Sequence, residues 1–290
     1  MSGDGADASP SGGGPWAERA RLPRPPRASA LFGYLLDLDA DLSDELEARM
    51  RYSARQQTTA RLLDAEPGEC DLSGWFAAVG DGPGLLVIDG LFAVDTQVAD
   101  RTTTELLGSG DLLQPPARHD DEMVEPQMVW RALATSRLAL LDSEFAHHIR
   151  SWPQILNALF RRAERRSYDL DVLRAISSQP RLEGRLVLLL WHLAARWGRV
   201  EPAGLRLTLP LTHRLLGQLV AAERPSISHA LRRLTEAGIV TGSTGDLHLH
   251  GAVGDHLEAL IERPARLHLR QSGQRSLGSR ASRSGGPHLA

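Results

Sequence analysis

The chain has 290 residues, and this length predicts two domains, because single hydrophobic cores stop growing near this size. Apolar residues make up 42% and charged residues 24%, as is typical of a globular chain, and no apolar run approaches the roughly 20 residues that span a bilayer. The single cysteine, Cys70, excludes an intramolecular disulfide. The first residues lack the apolar core of a secretion signal, so we expect a cytoplasmic protein without membrane segments.

The formal charge of −3 hides an uneven distribution along the chain. Residues 31–142 contain 21 acidic and 8 basic residues, a net charge of −13, whereas residues 180–251 contain 5 acidic and 9 basic residues, a net charge of +4. All 33 basic residues are arginine, whose guanidinium group suits phosphate contacts. The basic C-terminal third favours a polyanionic partner for that part of the chain, although +4 is also common on a small domain.

The two ends of the chain have compositions typical of disordered segments. Residues 1–30 are rich in Gly, Pro, Ser and Ala, and the residues from Arg266 onward are rich in Ser, Gly and Arg. Such segments cannot bury enough apolar surface to offset the entropy of ordering. We expect a disordered tail at 1–30, and a short helix with a disordered arginine-rich tail at 253–290. That C-terminal tail either adds phosphate affinity or only solubilises the chain.

Residues 31–142 contain a series of short strand patterns after a polar helical piece at Ser43–Arg55. In Gly84–Val94, the dipeptide Asp89-Gly90 between apolar runs predicts a hairpin turn. Because short strands at regular spacing are typical of closed antiparallel sheets, the segment predicts a small barrel or jelly roll. The further predicted strands are Arg101–Leu107, Leu112–Leu113, Val129–Leu133 and Arg137–Leu141.

Residues 143–179 predict a linker followed by a long helix. Asp142 and Ser143 suit a helix cap, and Ser151-Trp-Pro begins the longer helix with Pro153 in its first turn. Apolar residues then follow the alternating spacing of four and three that forms a coiled-coil seam. One amphipathic helix packed on its own domain is the alternative. The predicted dimer interface consists of Leu156, Leu159, Ala163, Leu170 and Leu173.

The most specific pattern lies in residues 211–240. Thr212 suits the N-cap of a short helix, and Ala221-Ala222 forms a turn of small residues that lets two helices approach closely. Pro225 suits the first turn of a second helix and would not be tolerated in its interior. Two short helices joined by a tight turn predict a helix-turn-helix.

The flanking segments predict that this corner belongs to a winged domain over 180–252. An apolar helix over 180–197 and a short strand at Leu205–Leu209 precede it, and Ile239–Thr241 with Leu247–His250 predict a β-wing. The second helix, at about 224–235, has a basic outer side with many hydrogen-bond donors, as a helix that enters the major groove requires. A generic two-helix corner is the alternative, but it would not explain the wing.

The order of barrel, long helix, apolar helix, short strand, helix-turn-helix and wing resembles the Crp/Fnr family of bacterial transcription regulators. The similarity covers about residues 31–252 and is greatest in Leu211–Val220 and Arg224–Leu234. Leu86–Leu91 and Glu105–Leu113 are similar to the family's sensor barrel. The resemblance implies an α+β fold with an N-terminal, cyclic-nucleotide-binding-like antiparallel barrel, a long dimerisation helix and a C-terminal winged helix-turn-helix.

The resemblance also implies a function and its partners. A member of this family is a homodimeric, sequence-specific DNA-binding transcription regulator, with two recognition helices in successive major grooves of double-stranded DNA. RNA polymerase is a further candidate partner. A protein-binding scaffold or anti-regulator, in which the helix-turn-helix and the acidic barrel contact proteins, is the alternative function.

Several residues match DNA-contacting positions of the family. Thr212 and Ser226 match contacts to the DNA backbone, and Arg224 matches an arginine that contacts bases. Pro225 and His229 stand where well-known members have a Glu and an Arg, so we expect a different half-site. The predicted DNA-binding residues are Thr212, Arg224, Pro225, Ser226, Ser228, His229, Arg232 and Arg233.

The expected effector site lacks the family's phosphate-binding pattern. Members that bind cyclic nucleotides have a Gly-Glu pair and a downstream Arg-Ala or Arg-Ser, whereas this chain has two prolines and several carboxylates after Leu113. Because carboxylates repel a phosphate, we expect no binding of cyclic AMP in the usual way, and a barrel used only for dimerisation or protein contacts is the alternative. The remaining effector candidates are Arg118 and Arg131, each of which also fits a solvated or sheet-face arginine.

The sequence has no recognisable catalytic motif. Gly80–Gly84 lacks the Lys-Ser/Thr of a phosphate loop, and no Gly-x-Ser-x-Gly or zincin motif occurs. The adjacent residues His119–Glu122 are metal-ligand types, but neighbours in one loop seldom converge on one ion. We therefore expect a protein that is not an enzyme and that has no metal and no cofactor.

Overall fold

The computed structural model describes residues 31–115, 123–124 and 126–259. The predicted tail at 1–30, most of the tail at 253–290 and the effector candidate Arg118 lie outside the described residues. The helices are α1 (Leu35–Leu38), α2 (Ala48–Gln57), α3 (Ser73–Val79), α4 (Ser143–Ile149), α5 (Pro153–Ser177), α6 (Leu182–Trp197), α7 (His213–Leu219) and α8 (Arg224–Glu236). The strands are β1 (Leu31–Tyr34), β2 (Thr59–Ala65), β3 (Gly68–Cys70), β4 (Gly84–Asp89), β5 (Leu91–Val98), β6 (Arg101–Gly108), β7 (Leu112–Leu113), β8 (Gln127–Ala132), β9 (Ser136–Leu141), β10 (Gly198–Glu201), β11 (Gly204–Leu207), β12 (Val240–Ser243) and β13 (Asp246–Leu249).

The described residues divide into two compact units. The first contains residues 31–91, 107–115 and 134–160, and the second contains residues 92–106, 123–124, 126–133 and 161–259. Within the described part of the chain, no helix is both long enough and apolar enough to cross a membrane.

The first unit contains a five-stranded antiparallel sheet in the order β1-β2-β9-β4-β7. One face of this sheet packs against α1, α2, α4 and the beginning of α5, where Phe145 and Ile155 are buried in a shared apolar core. The indole Nε1 atom of Trp152 donates a hydrogen bond to Gln57 Oε1 at 2.9 Å, which satisfies the polar atom of a largely buried ring. Asp142 caps α4 as predicted, because its side chain accepts a hydrogen bond from the Phe145 backbone N–H at 3.0 Å.

The predicted hairpin at Asp89-Gly90 is wrong. Strand β4 pairs with β9 and β7, whereas β5 pairs with β8, so Gly90 connects two strands of different sheets. Gly90 has a φ of +102°, and a Cβ atom at this position would lie 2.0 Å from Ser136 Oγ. The dipeptide therefore marks a sharp bend that only glycine fits, and not a turn between paired strands. The polar helix predicted at Ser43–Arg55 also begins later, at Ala48.

The second unit contains part of another antiparallel sheet, in which β8, β5 and β6 lie side by side. The predicted strands at Arg101–Leu107 and Val129–Leu133 are confirmed as β6 and β8, and the predicted strand at Arg137–Leu141 is confirmed as β9 of the first unit, with small differences at their ends. Val94 and Trp130 face each other across β5 and β8, and both side chains are buried. Apolar pairing on this face stabilises the strands, because cross-strand neighbours exclude water from one another.

The C-terminal part of the second unit consists of α6, α7, α8 and a four-stranded antiparallel sheet in the order β10-β11-β13-β12. Helix α6 ends at Gly198 as predicted, and the wing is present as β12 and β13. Strand β10 is an element that the sequence did not reveal, because Gly198-Arg-Val-Glu has no alternation of apolar residues. It forms through its pairing with β11, in the register Gly198↔Leu207.

Candidate nucleic-acid interface

Helix α7 begins at the predicted cap. The Thr212 side chain accepts a hydrogen bond from the Leu215 backbone N–H at 3.1 Å, which satisfies one of the free donors of the first helical turn. Leu215, Leu216 and Leu219 are buried on the inner side of the helix. Thr212 itself is exposed at the surface of the domain, as a contact to a DNA phosphate requires.

The turn between α7 and α8 depends on small residues. Ala222 N–H donates a hydrogen bond to the Gly217 carbonyl at 2.8 Å, so the chain folds back closely on the end of α7. A Cβ atom on Gly217 would lie 2.5 Å from the Ala222 carbonyl oxygen. Ala221 has a φ of +53°, a left-handed conformation that is costly for any residue with a Cβ atom.

Helix α8 has one buried face and one exposed face. Ile227, Ala230, Leu231 and Leu234 are buried. At the angular spacing of an α-helix, the opposite side is formed by Pro225, His229, Arg232 and Glu236, and all four are exposed. Pro225 lies in the first turn, where its missing N–H has no intrahelical partner to lose. The helix therefore presents a continuous exposed face from its first turn to its last.

Most of the predicted DNA-binding residues on α8 are exposed, but Ser228 is not fully so. Arg224, Pro225, Ser226, His229, Arg232 and Arg233 are exposed, whereas Ser228 is half-buried. The Ser228 Oγ atom lies 2.9 Å from His213 Nδ1 on α7, and it also donates to the Arg224 carbonyl at 3.3 Å. Ser228 thus contacts both helices of the motif, a role that the sequence pattern did not predict.

The three arginines of α8 differ in their partners. Within the described ranges, no carboxylate pairs with the Arg224 guanidinium. Arg232 Nε lies 3.7 Å from Glu236 Oε1, and both side chains are 66% exposed. Arg233 pairs with Glu183 in the first turn of α6, and the Glu183 side chain is only 14% exposed. The cationic character of α8 is consequently greatest at its N-terminal end.

The wing is a tight hairpin with an ion pair beside its turn. Strands β12 and β13 pair from Val240↔Leu249 to Ser243↔Asp246, which leaves a two-residue turn at Thr244-Gly245. Arg206 on β11 donates from Nε and Nη2 to the two carboxylate oxygens of Asp246, at 2.7 and 2.8 Å. This hydrogen bonding lowers the pKa of Asp246 and raises the pKa of Arg206. Thr241, Ser243 and Thr244 are exposed on the wing and were not among the predicted contacts.

The effector candidate Arg131 is bound to a neighbouring carboxylate. Its Nε and Nη2 atoms donate to the two oxygens of Asp95 on β5, at 2.9 and 3.0 Å, and Thr104 donates to the same carboxylate at 2.6 Å. On the next strand, Glu105 accepts two hydrogen bonds from Arg166 of α5, both at 2.8 Å. The Nε–Nη2 edge of the Arg131 guanidinium is therefore occupied by Asp95.

The predicted interface residues on α5 fall into two groups. Leu156 is 50% exposed, and Ala163, Leu170 and Leu173 are partly exposed, but Leu159 is only 3% exposed and packs in the core of the first unit. Phe160, which the heptad pattern omitted, is 63% exposed. On a helical projection, Leu156, Phe160, Ala163 and Leu170 lie within a stripe about 80° wide. The exposed apolar stripe is thus shifted toward Phe160 from the predicted one.

The described residues contain no group of three or more His, Cys, Asp or Glu side chains that could hold a metal ion. The candidate site consists of the arginine, serine, threonine and histidine side chains described above, on the helix-turn-helix and its wing. These groups donate hydrogen bonds and carry positive charge, which is the chemistry that phosphates and base edges require.

Comparison with known proteins agrees with this geometry. Residues 184–250 match the family model of the Crp-like helix-turn-helix domain. No curated protein matches the chain. The solved structures that share its fold include the following three. A CooA variant from Carboxydothermus hydrogenoformans has 16% identity and a TM-score of 0.52, and covers 75% of this chain and 91% of its own. FixK2 from Bradyrhizobium japonicum has 12% identity and a TM-score of 0.51, and covers 66% and 93% respectively. A cyclic nucleotide-binding domain containing protein from Listeria monocytogenes has 14% identity and a TM-score of 0.51, and covers 64% and 87%.

The fold and the site define a winged helix-turn-helix protein of the DNA-binding class. The α+β architecture and the resemblance to the Crp/Fnr regulators are both confirmed: residues 184–250 form a Crp-like helix-turn-helix domain, and the chain shares the overall fold of the solved structures named above.

Proposed function

We propose that the chain is a dimeric, sequence-specific regulator of transcription whose helix α8 enters the major groove of double-stranded DNA. The observation that carries this proposal is the exposed N-terminal half of α8. Arg224 there has no carboxylate partner within the described residues, and Pro225, Ser226 and His229 are exposed beside it. Recognition helices contact bases mainly through their N-terminal residues, so the least neutralised arginine stands where base contacts are made.

The charge distribution supports the same conclusion. Residues 180–251 have a net charge of +4, although the whole chain has a formal charge of −3. A local positive charge on an acidic protein attracts a polyanion to one region and repels it from the rest. The domain that contains α8 is therefore the part of the chain that we expect to meet DNA first.

We further propose that two chains associate through α5. Leu156 and Phe160 expose apolar surface on the same stripe of the helix as Ala163 and Leu170. A coiled-coil contact between two such stripes would remove this surface from water, which is the main driving force of association. Leu159 is not part of the proposed interface, because it contributes to the core of its own unit.

The effector of the proposed regulator is not cyclic AMP bound in the usual way. Asp95 occupies the Nε–Nη2 edge of Arg131, so a phosphate bound to this guanidinium would lie beside the Asp95 carboxylate, which repels it. Calorimetric titration of the full chain with cyclic AMP should therefore show no binding at micromolar concentrations. Heat of binding in that range would contradict this part of the proposal.

A regulator of this kind acts where the chromosome is, so the proposal includes a cytoplasmic location and RNA polymerase as a further candidate partner. It assigns no catalytic activity to the chain.

Selection of bound duplexes from a random pool, followed by affinity measurements over a range of salt concentrations, tests the proposal. We expect a preferred site and an affinity that falls steeply as salt rises, because bound phosphates release counterions. Absence of binding would instead favour a protein-binding scaffold.

Arg224→Ala provides the residue-level test on the selected site. We expect a loss of about 1–3 kcal/mol and a weaker base preference at one position, because a bidentate arginine distinguishes guanine from other bases. Arg199→Ala, which removes an exposed arginine from β10, is the matched control and should change affinity little. Equal losses on selected and random duplexes would show that Arg224 contacts only phosphate.

A further inference from the structure

Two neighbouring arginines on α8 are almost equally exposed, at 66% and 64%, but have different partners. Arg232 lies on the side of the helix opposite the buried face, and Arg233 lies on the flank of the helix, about 60° from Ala230 of that face. Arg232 pairs only loosely with the exposed Glu236, whereas Arg233 pairs with the largely buried carboxylate of Glu183 on α6. The sequence alone treats the two arginines as equivalent DNA contacts.

We propose that Arg233 is a positioning residue of the recognition helix and does not contact DNA. Its pairing with Glu183 holds α8 in a fixed orientation on α6, and this orientation gives the exposed face its base selectivity. The inference rests on the proposed DNA-binding function and deepens it. It distinguishes the side chains that contact DNA from Arg233, which fixes the orientation of the helix that carries them.

The position of Glu183 explains why its carboxylate needs a partner. Glu183 lies in the first turn of α6, where the free backbone N–H groups of the helix favour a negative charge. Its side chain is 14% exposed, so the carboxylate has lost most of its contact with water. A partly buried carboxylate without a cation is strongly unfavourable, and the guanidinium of Arg233 offsets that cost.

The same turn of α6 also contacts the helix-turn-helix at a second point. Arg185 Nη1 donates a hydrogen bond to the Val220 carbonyl at 3.2 Å, at the end of α7. Near the N-terminal end of α8, the contact between His213 and Ser228 joins α7 to α8. Helix α8 is thus attached near both ends, to α7 through Ser228 and to α6 through Arg233. Loss of the attachment at Arg233 would let the C-terminal half of α8 tilt.

This arrangement predicts different salt dependence for the two arginines. A cation that contacts a phosphate releases counterions. Its removal therefore makes the plot of log affinity against log salt shallower: the magnitude of its slope falls by about one. Arg232 has only long contacts with exposed neighbours, 3.7 Å to Glu236 and 3.4 Å to His229, and can turn toward a phosphate. Arg233 is already balanced by Glu183. Arg232→Gln should lower the slope by about one, and Arg233→Gln should leave it unchanged.

The experiment compares full-length wild type with Arg233→Gln, Glu183→Gln, the reversal Glu183→Arg with Arg233→Glu, and the matched control Arg232→Gln. Dissociation constants are measured for the selected duplex and for a random duplex at several salt concentrations. We expect Arg233→Gln and Glu183→Gln each to reduce the ratio of selected-duplex affinity to random-duplex affinity about five- to tenfold. This size is typical of the coupling between two residues in contact. The reversal should restore part of this ratio with an unchanged salt slope; the recovery is incomplete because an arginine at position 183 lies in a first helical turn that favours a negative charge.

Glu183→Gln provides a readout that charge alone does not give. Removal of a negative charge from a DNA-binding protein strengthens its binding to any duplex, because the repulsion of phosphate falls. If Glu183 positions α8 through Arg233, the same substitution must instead weaken discrimination between the selected and random duplexes. A loss of selectivity without a loss of random binding is therefore the result that supports the inference.

Other outcomes overturn it. If Arg233→Gln lowers the salt slope by about one while Glu183→Gln keeps full selectivity, Arg233 is a phosphate contact and the proposed function stands without the inference. If a single variant unfolds at the assay temperature, the reversal variant provides the test, because it has the same net charge as wild type. If Arg233 contacts a phosphate, the reversal variant should have a shallower salt dependence than wild type. If wild type itself binds no duplex in a salt-dependent way, the proposed function fails.

Discussion

The imidazole Nδ1 atom of His213 on α7 lies 2.9 Å from the hydroxyl oxygen of Ser228 on α8, and this contact joins the two helices of the helix-turn-helix. Ser228 is half-buried, so its hydroxyl has exchanged part of its hydration for this partner and for the Arg224 carbonyl. A serine that the sequence assigns to DNA recognition therefore has a structural role as well.

Ser228→Ala should lower the free energy of unfolding by about 1 kcal/mol, because it leaves the His213 nitrogen without this partner. Denaturant unfolding of the purified protein measures the change. Ser226→Ala is the matched control: Ser226 is exposed two residues away, and its replacement should alter stability by less than about 0.5 kcal/mol. Equal stabilities for the two variants would contradict the role assigned to Ser228.

Gly217→Ala should destabilise the corner between α7 and α8. The new Cβ atom would lie 2.5 Å from the Ala222 backbone oxygen, and a backbone atom cannot rotate away as a side chain can. We expect a loss of about 1–3 kcal/mol in thermal or denaturant unfolding. Gly184→Ala in α6 is the control, because a Cβ atom there has no neighbour within 4 Å, and it should keep or raise stability, by up to about 1 kcal/mol.

Ala221→Gly should stabilise the protein. Ala221 adopts a φ of +53°, which costs an L-residue about 1–2 kcal/mol and costs glycine almost nothing. The greater freedom of glycine in the unfolded chain offsets part of this gain, so we expect a net increase of about 0.5–1 kcal/mol. Ala222→Gly, at a neighbouring residue without a positive φ, should change stability in the opposite direction. Two changes of the same sign would rule out strain at Ala221.

The ion pair between Arg206 and Asp246, beside the turn of the wing, predicts a dependence of stability on pH. Hydrogen bonding from Arg206 lowers the pKa of Asp246 in the folded protein, so the folded state favours the ionised carboxylate more than the unfolded state does. The resulting stabilisation is fully present above the ordinary aspartate pKa of about 3.9, and it is lost as the pH falls through the lower, folded-state value.

Asp246→Asn removes this contribution. The difference in unfolding free energy between wild type and the variant should be constant near neutral pH and should shrink below about pH 4. Arg206→Gln should reproduce the effect from the other side of the pair. A difference that grows as the medium becomes more acidic would have the wrong sign and would exclude the mechanism.

Phe160→Glu should weaken self-association, because it places a charge on the exposed apolar stripe of α5 where we propose that two chains meet. Sedimentation equilibrium should show a shift from dimer toward monomer at micromolar concentration. Asn157→Glu adds the same charge on an exposed position of the same helix outside the stripe and should leave the dimer intact. If both variants behave alike, the interface lies elsewhere.

The helix-turn-helix could be predicted from sequence because several local rules agree there. The cap at Thr212, the small residues at Ala221-Ala222 and the proline at Pro225 each favour the same boundary between two helices. Each of these rules depends on backbone geometry within a few residues, which the sequence specifies directly.

The parts that sequence did not reveal depend on distant neighbours. The glycine at position 90 predicts a sharp change of chain direction from sequence alone. Only the pairing of β4 with β9 and of β5 with β8 shows that the chain passes from one sheet to another there. Likewise, helical periodicity places Arg233 near the surface, but it cannot show that Glu183 of another helix neutralises it. Tertiary pairing, and not local propensity, decides which charges remain available.

The arginines on α8 also limit how its charge can be regulated. The chain contains no lysine, so α8 has no primary amine for an acetyltransferase to modify. Guanidinium groups keep their proton at every pH that a cell reaches, and acidification cannot increase their charge. Covalent acetylation of side chains and simple titration of basic groups are thus both excluded as ways to alter these cations.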